Sequence, residues 1–191
     1  SSGTGDSFVT SIDPNAVENS GTVLPAGAGN PVPPIAAGSV TPLTYTYYDD
    51  YSWSGHQAFN QTYLNRCTAA GNLYPENTHP FEDNNNTSSN RTTGLVTGTR
   101  VRVLNSNPEQ WLTTTLYYDE RARVVQSLSD NISGGTDVVS TKYDFEGKVL
   151  STYTVEHDNL SGVTPETRVL TEYLYDDAGR LLTVKKKLND A

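Results

Sequence analysis

The sequence predicts an all-β chain built from antiparallel hairpins, and three observations carry that expectation. Tyrosine supplies 12 of the 191 residues, methionine is absent, and only 35% of residues are hydrophobic, a composition poor for helices and suited to strands. After residue 94, short runs of Val, Thr, Leu and Tyr alternate with turn segments carrying Gly, Asn, Asp or Pro. One turn pattern also recurs: Tyr118-Asp-Glu-Arg-Ala-Arg123, Tyr143-Asp-Phe-Glu-Gly-Lys148 and Tyr175-Asp-Asp-Ala-Gly-Arg180.

Taken in order, residues 1–41 are rich in Gly, Pro, Ala and Ser, with Pro25, Pro31, Pro33 and Pro34 at the centre. Proline cannot donate to a ladder, so an extended strap or linker is expected, pinned locally by Phe8, Val9 and Ile12. Residues 42–93 open with a strand, 43–53, dense in Tyr and Thr and leading into an aromatic cluster. A short helical stretch is expected over 57–65. The polar tract 83–93 buries too little to offset the entropy of ordering and reads as a mobile loop. Residues 94–191 hold the regular hairpins, with strands expected at 99–104, 111–118, 123–128, 138–143, 148–155, 167–175 and 180–188. Alternation is imperfect in 111–118, so both faces of the sheet are expected to meet something.

The recurring turn has a mechanism. Aspartate at its first position accepts from backbone N–H groups ahead of it. Glycine three residues later supplies the left-handed backbone that completes a three-residue hairpin loop. Tyrosine ends the incoming strand, its ring covering the neighbouring hairpin and its hydroxyl expected to stay wet. Ala122 stands where the other copies have Gly147 and Gly179. Either it keeps positive φ at a cost of about 1 kcal/mol, or that hairpin uses a different turn.

Tyr-Asp-x-x-Gly-Arg-Leu resembles the YD repeat of the Rhs family, which includes toxin-complex shells and teneurins. The resemblance covers roughly residues 94–190. The segments 47–53 and 94–99 are similar to those that precede such repeats. It implies that Tyr118, Asp119, Ala122, Arg123, Tyr143, Asp144, Gly147, Lys148, Tyr175, Asp176, Gly179 and Arg180 are structural. It further implies a β-ribbon spiralling into a shell that encloses or displays a C-terminal toxin or effector domain. The partners implied are neighbouring YD repeats of the same larger protein, the enclosed domain, or an outer-membrane secretion apparatus. The location implied is secreted or cell-surface, in bacteria. The missing methionine fits a piece of a longer protein, and no copy of the self-cleaving protease core that can follow such repeats is recognisable.

Charge and motifs narrow the alternatives. Thirteen basic against 22 acidic side chains, a net charge of −9, argue against general nucleic-acid binding. No apolar run reaches membrane-spanning length, and no basic stretch followed by an apolar one marks a signal peptide. Cys67 alone allows neither an intramolecular disulfide nor a multi-thiolate zinc site, and a packed thiol is expected although Arg66 lies beside it. His56, His79 and His157 share no metal-ligand spacing, and His157 reads as solvated. Asp49-Asp50 lacks the flanking carboxylates of a calcium loop. No catalytic residue, cofactor or metal is therefore expected. Lys185-Lys186-Lys187 reads as a solvated strand end or a guard for a sheet edge. The alternative function is a carbohydrate-binding or adhesion module, with Trp53 and Trp111 as stacking rings; against it stands a core role for the same rings.

Overall fold

In the computed structural model, the described residues are 42–67, 87–159 and 166–189. The strap expected over 1–41, His79 and the first part of the polar tract lie outside them. Eight strands form one open antiparallel sheet in chain order: β1 (Thr44–Tyr48), β2 (Val96–Val103), β3 (Gln110–Tyr118), β4 (Val124–Asp130), β5 (Thr136–Tyr143), β6 (Val149–His157), β7 (Glu166–Tyr175) and β8 (Leu181–Leu188). All seven pairings join sequence neighbours. The sheet runs across residues 93 and 94, because β1 pairs with β2.

The strands expected to begin at Arg123, Lys148 and Arg180 begin one residue later. Those basic residues belong to the turns, where each backbone N–H bonds the turn aspartate at 2.7 to 2.9 Å. Ladder bonding starts only after it.

Four irregularities fall at equivalent places. Register shifts by one residue between Tyr47 and Tyr48, Tyr117 and Tyr118, Lys142 and Tyr143, and Leu174 and Tyr175. The extra residue on the return strand is Thr97, Val125, Leu150 or Leu182. A bulge turns that residue out of simple alternation and sharpens the local twist. Val125 is consequently buried in the core beside Tyr117. This is why consecutive apolar residues follow each basic turn residue, as in Val124-Val125 and Val149-Leu150.

One face of the sheet is capped by residues 50–67, which leave β1 at its end and lie across β2 to β6. Helix α1 (Gln61–Arg66) is six residues long, starts later than expected, and is too short to persist alone. The Asn60 side chain accepts from the Tyr63 N–H at its start, and fully buried Leu64 anchors it. The core unites Leu64 and Cys67 with Tyr117, Val125, Leu128, Val138, Tyr153, Val155 and Leu170 of the sheet. Gln57 and Phe59, expected to be helical, lie outside the helix, which spans only Gln61–Arg66. The Gln57 side chain donates to Thr113 O and Asp130 Oδ1, at 3.1 and 2.9 Å, rather than serving a helix. Closer to β1, Trp53 stacks on Tyr47 with centroids 4.2 Å apart. Glycine at position 98 makes room: a Cβ there would lie 2.2 Å from the Trp53 ring.

The described end of the polar tract expected to be mobile is instead docked. Thr92 is buried and its hydroxyl donates to Asp49 O, while the Ser89 N–H donates to Tyr118 O at 2.7 Å.

Candidate functional site

The three Tyr-Asp turns occupy one edge of the sheet, joining β3 to β4, β5 to β6 and β7 to β8. They share one bonding scheme. Asp119, Asp144 and Asp176 each donate from the backbone N–H to the carbonyl of the basic residue four positions on, at 2.9 Å. Their own carbonyls accept from the N–H of Ala122, Gly147 and Gly179. Asp119 Oδ1 takes the N–H groups of Arg121 and Arg123, and Oδ2 takes Arg123 Nε at 2.6 Å. Asp176 repeats this with Ala178, Arg180 and Arg180 Nε at 2.7 Å. Asp144 Oδ1 accepts from the Lys148 N–H.

Ala122 keeps φ at 60°, beside 95° for Gly147 and 75° for Gly179. Of the two expectations for this turn, the strained version of the same loop is the one formed. The Arg180 N–H, followed by its side chain and then the Ala178 N–H, holds the Asp176 carboxyl below its ordinary value.

The tyrosines do more than cover a neighbour, and their hydroxyls are not left to solvent. Tyr118 donates to Val96 O at 2.6 Å, Tyr143 to Val124 O at 2.9 Å and Tyr175 to Val149 O at 2.9 Å. In every case the acceptor is the first residue of the preceding return strand. Burial pushes all three phenols above their ordinary range.

The basic residues reach the opposite way along the ladder. Arg123 Nη1 donates to Asp144 O at 2.7 Å, and its guanidinium sits 4.8 Å from the Tyr143 ring centroid. Lys148 extends along the next turn, where a Cβ on Gly179 would meet its Cε at 2.8 Å. Arg123 thus ties its turn to the next, whereas the Lys148 ammonium pairs with Glu146 of its own turn while its stem lies against Gly179.

Two further turns of this kind escaped sequence reading. Tyr48-Asp49 and Gly94-Leu95 form one interrupted copy: Asp49 N–H donates to Leu95 O at 3.1 Å, and Asp49 Oδ1 accepts from the Gly94 N–H at 2.6 Å. Gly94 has φ of 78°, as the other turn glycines do. Residues 50–93 stand where the other copies have two residues, and their described part supplies the cap. On the opposite sheet edge, Asn131 replaces aspartate, with Gly134 at φ 84° and Asn131 Oδ1 accepting from the Gly135 N–H. Asn-x-x-Gly was the available signal.

The remaining candidates are separated from one another. Trp53 is buried, donating from Nε1 to Thr97 Oγ1 at 3.3 Å, so it offers no ring for stacking a ligand. Trp111 is half-buried on β3. Asp49 is engaged in its turn, and Asp50 Oδ1 accepts from the N–H and hydroxyl of Ser52. Among the described residues no three His, Cys, Asp or Glu side chains gather as a metal site. The Cys67 thiol lies under the cap, donating to Ser140 O at 3.3 Å; burial pushes it up to about 12, against the smaller opposing effects of a Tyr153 backbone hydrogen bond and the Lys142 charge. His157, expected in a solvated loop, ends β6 half-buried, with Nδ1 at 2.7 Å from Thr136 O and Nε2 at 3.6 Å from Glu166. His56 is exposed, its Nδ1 3.0 Å from Trp53 O. The arrangement can fasten strands in register.

Compared with known proteins, the chain matches no family model, no curated protein and no solved structure.

Proposed function

We propose that this chain is a structural segment of a secreted or cell-surface protein of the Rhs/YD-repeat kind. Its part is to build a β-wall that encloses or displays a further domain, such as a toxin or effector. The observation that carries the reading is the tyrosine ladder, in which the same hydroxyl-to-carbonyl bond recurs at Tyr118, Tyr143 and Tyr175. A bond that each turn makes to the one before it is a device for adding units, while the turn carboxylates are occupied by N–H groups of their own turns.

Register supports the same reading. Gly98 opposes Thr115, Gln126 opposes Ser140 and Ser151 opposes Glu172, the same step from tyrosine to return strand each time. Eight strands at about 4.8 Å spacing make a strip on the order of 35 Å across, too narrow to close round a folded cargo. Wall function therefore calls for neighbouring repeats as partners. The outer side of β8 suits one: Leu181, Leu182, Val184 and Leu188 are exposed. The Arg180 side chain is 80% exposed, against 17% for Arg123, which has a following turn to bind.

The test is to append a second copy of residues 166–189 after residue 191 and determine the structure. The added tyrosine is expected to donate to Leu181 O, with its strand paired to β8. An added hairpin that stays unpaired, or pairs in another register, overturns the reading.

A further inference from the structure

We infer that Tyr45, Arg100 and Trp111 form a binding shelf for a terminal acidic sugar, one carrying a single carboxylate. The inference is independent of the wall function and concerns the capped face of the sheet where the cap ends.

A row of rings begins under the cap and continues past it. Trp53 stacks on Tyr47, Tyr47 lies 6.4 Å from Tyr45, and Tyr45 lies 5.0 Å from Trp111, tilted by 42°. Tyr47 and Trp53 are buried; Tyr45 and Trp111 are only half-buried. Register sets this group on one side of three adjacent strands, with Tyr45 opposite Arg100 and Arg102 opposite Trp111. The inner half of the row is core. The outer half, Tyr45 and Trp111, is only half-buried.

The shelf is also cationic, in a chain of net charge −9. The Arg100 guanidinium lies 5.4 Å from the Trp111 ring centroid, and its buried Nε has no hydrogen-bond partner. Arg102 is paired with Glu109 at 3.0 Å, and Glu109 also accepts from Trp111 Nε1 at 2.7 Å. Glutamate thus fixes the indole and neutralises one arginine, leaving the Arg100 charge beside the ring.

A fixed indole offers its face to the C–H surface of a pyranose, and a guanidinium suits a carboxylate through paired N–H donors. One uncompensated cation matches one negative charge. A polyanion would place its further charges against Glu109 and the acidic remainder of the chain. Charge complementarity therefore selects a mono-acidic sugar over nucleic acid or an acidic peptide.

The experiment follows the Trp111 indole N–H resonance of the full chain during titration with sialyllactose, lactose and a hexa-glutamate peptide. Sialyllactose is expected to shift that resonance saturably while leaving Trp53 in place, with lactose and the peptide at least tenfold weaker. Arg100→Gln is expected to weaken sialyllactose about tenfold, the loss of one charge-assisted contact. Trp111→Ala abolishes saturable binding, followed for that variant by calorimetry. If Arg100→Gln loses the sheet's spectrum, Arg100→Lys serves in its place, keeping the charge, losing the fork and binding less tightly. The inference is overturned by no saturable shift, by equal response to lactose, by preference for the peptide, or by a Trp111 shielded from acrylamide in the free chain.

Discussion

The hydroxyl of Tyr143 donates to the carbonyl of Val124, 2.9 Å away, across two strands and a turn. Tyr143 ends an incoming strand and Val124 opens the preceding return strand, so one bond sets where each hairpin sits against the last. Tyr143→Phe is expected to lower stability by about 1 kcal/mol, because a part-buried carbonyl loses its partner. Tyr48→Phe is the contrast: Tyr48 is half exposed and makes no hydroxyl bond among the described residues. Urea denaturation of both variants checks this, with no measurable change expected for Tyr48→Phe.

Ala122 holds a backbone conformation that glycine adopts more easily, at φ 60°. Ala122→Gly is expected to stabilise the chain by about 1 kcal/mol. Gly147→Ala should do the reverse by a similar amount, since a Cβ there meets nothing within 4 Å and only the backbone is strained. Thermal midpoints moving in opposite directions are the expected result.

Gly98 is where the cap meets the sheet. A Cβ at this position would stand 2.2 Å from the Trp53 ring and 2.9 Å from Thr114 O. Gly98→Ala is expected to displace Trp53 and destabilise by about 1–3 kcal/mol, the range for overpacking. Tryptophan emission should move to longer wavelength as Trp53 gains water.

Two ends of the pH scale probe different parts of the ladder. Asp176 is held below its ordinary 3.8, so its contribution is complete above that value and fades as pH falls through the lower folded one. The β7–β8 turn should therefore loosen only below pH 3.8, seen as faster exchange of the Ala178 and Arg180 amides. Tyr118, Tyr143 and Tyr175 are raised above their ordinary 10.0, which favours the neutral phenol in the fold. Their contribution is complete below pH 10 and is lost as pH climbs through the raised values. Tyrosinate absorbance from these three should appear together with loss of near-ultraviolet circular dichroism.

Much of the sheet was legible because local chemistry and tertiary role agree. Asp144 and Asp176 sit at strand-reversing corners, as aspartate with a following positive-φ glycine requires. The bulges were not legible, since Thr97, Val125, Leu150 and Leu182 share no side-chain type and the irregularity lies in the backbone. Adjacent apolar residues at 124–125 and 149–150 looked like broken alternation for the same reason. The interrupted turn was hidden because Asp49 and Gly94 are separated by residues 50–93, beyond any local pattern. Trp53 and Trp111 were indistinguishable as residues. Only the extent of the cap separates a buried ring from a half-buried one.

Residue-resolved amide exchange of β8, before and after a further Tyr-Asp hairpin is appended, most directly examines whether these turns build a continuing wall. The β8 amides not bonded to β7 should exchange rapidly in the natural chain and become protected, to the level of β4 and β6, in the extended one. Exchange on β8 that is unchanged by the added hairpin would contradict the wall-segment reading.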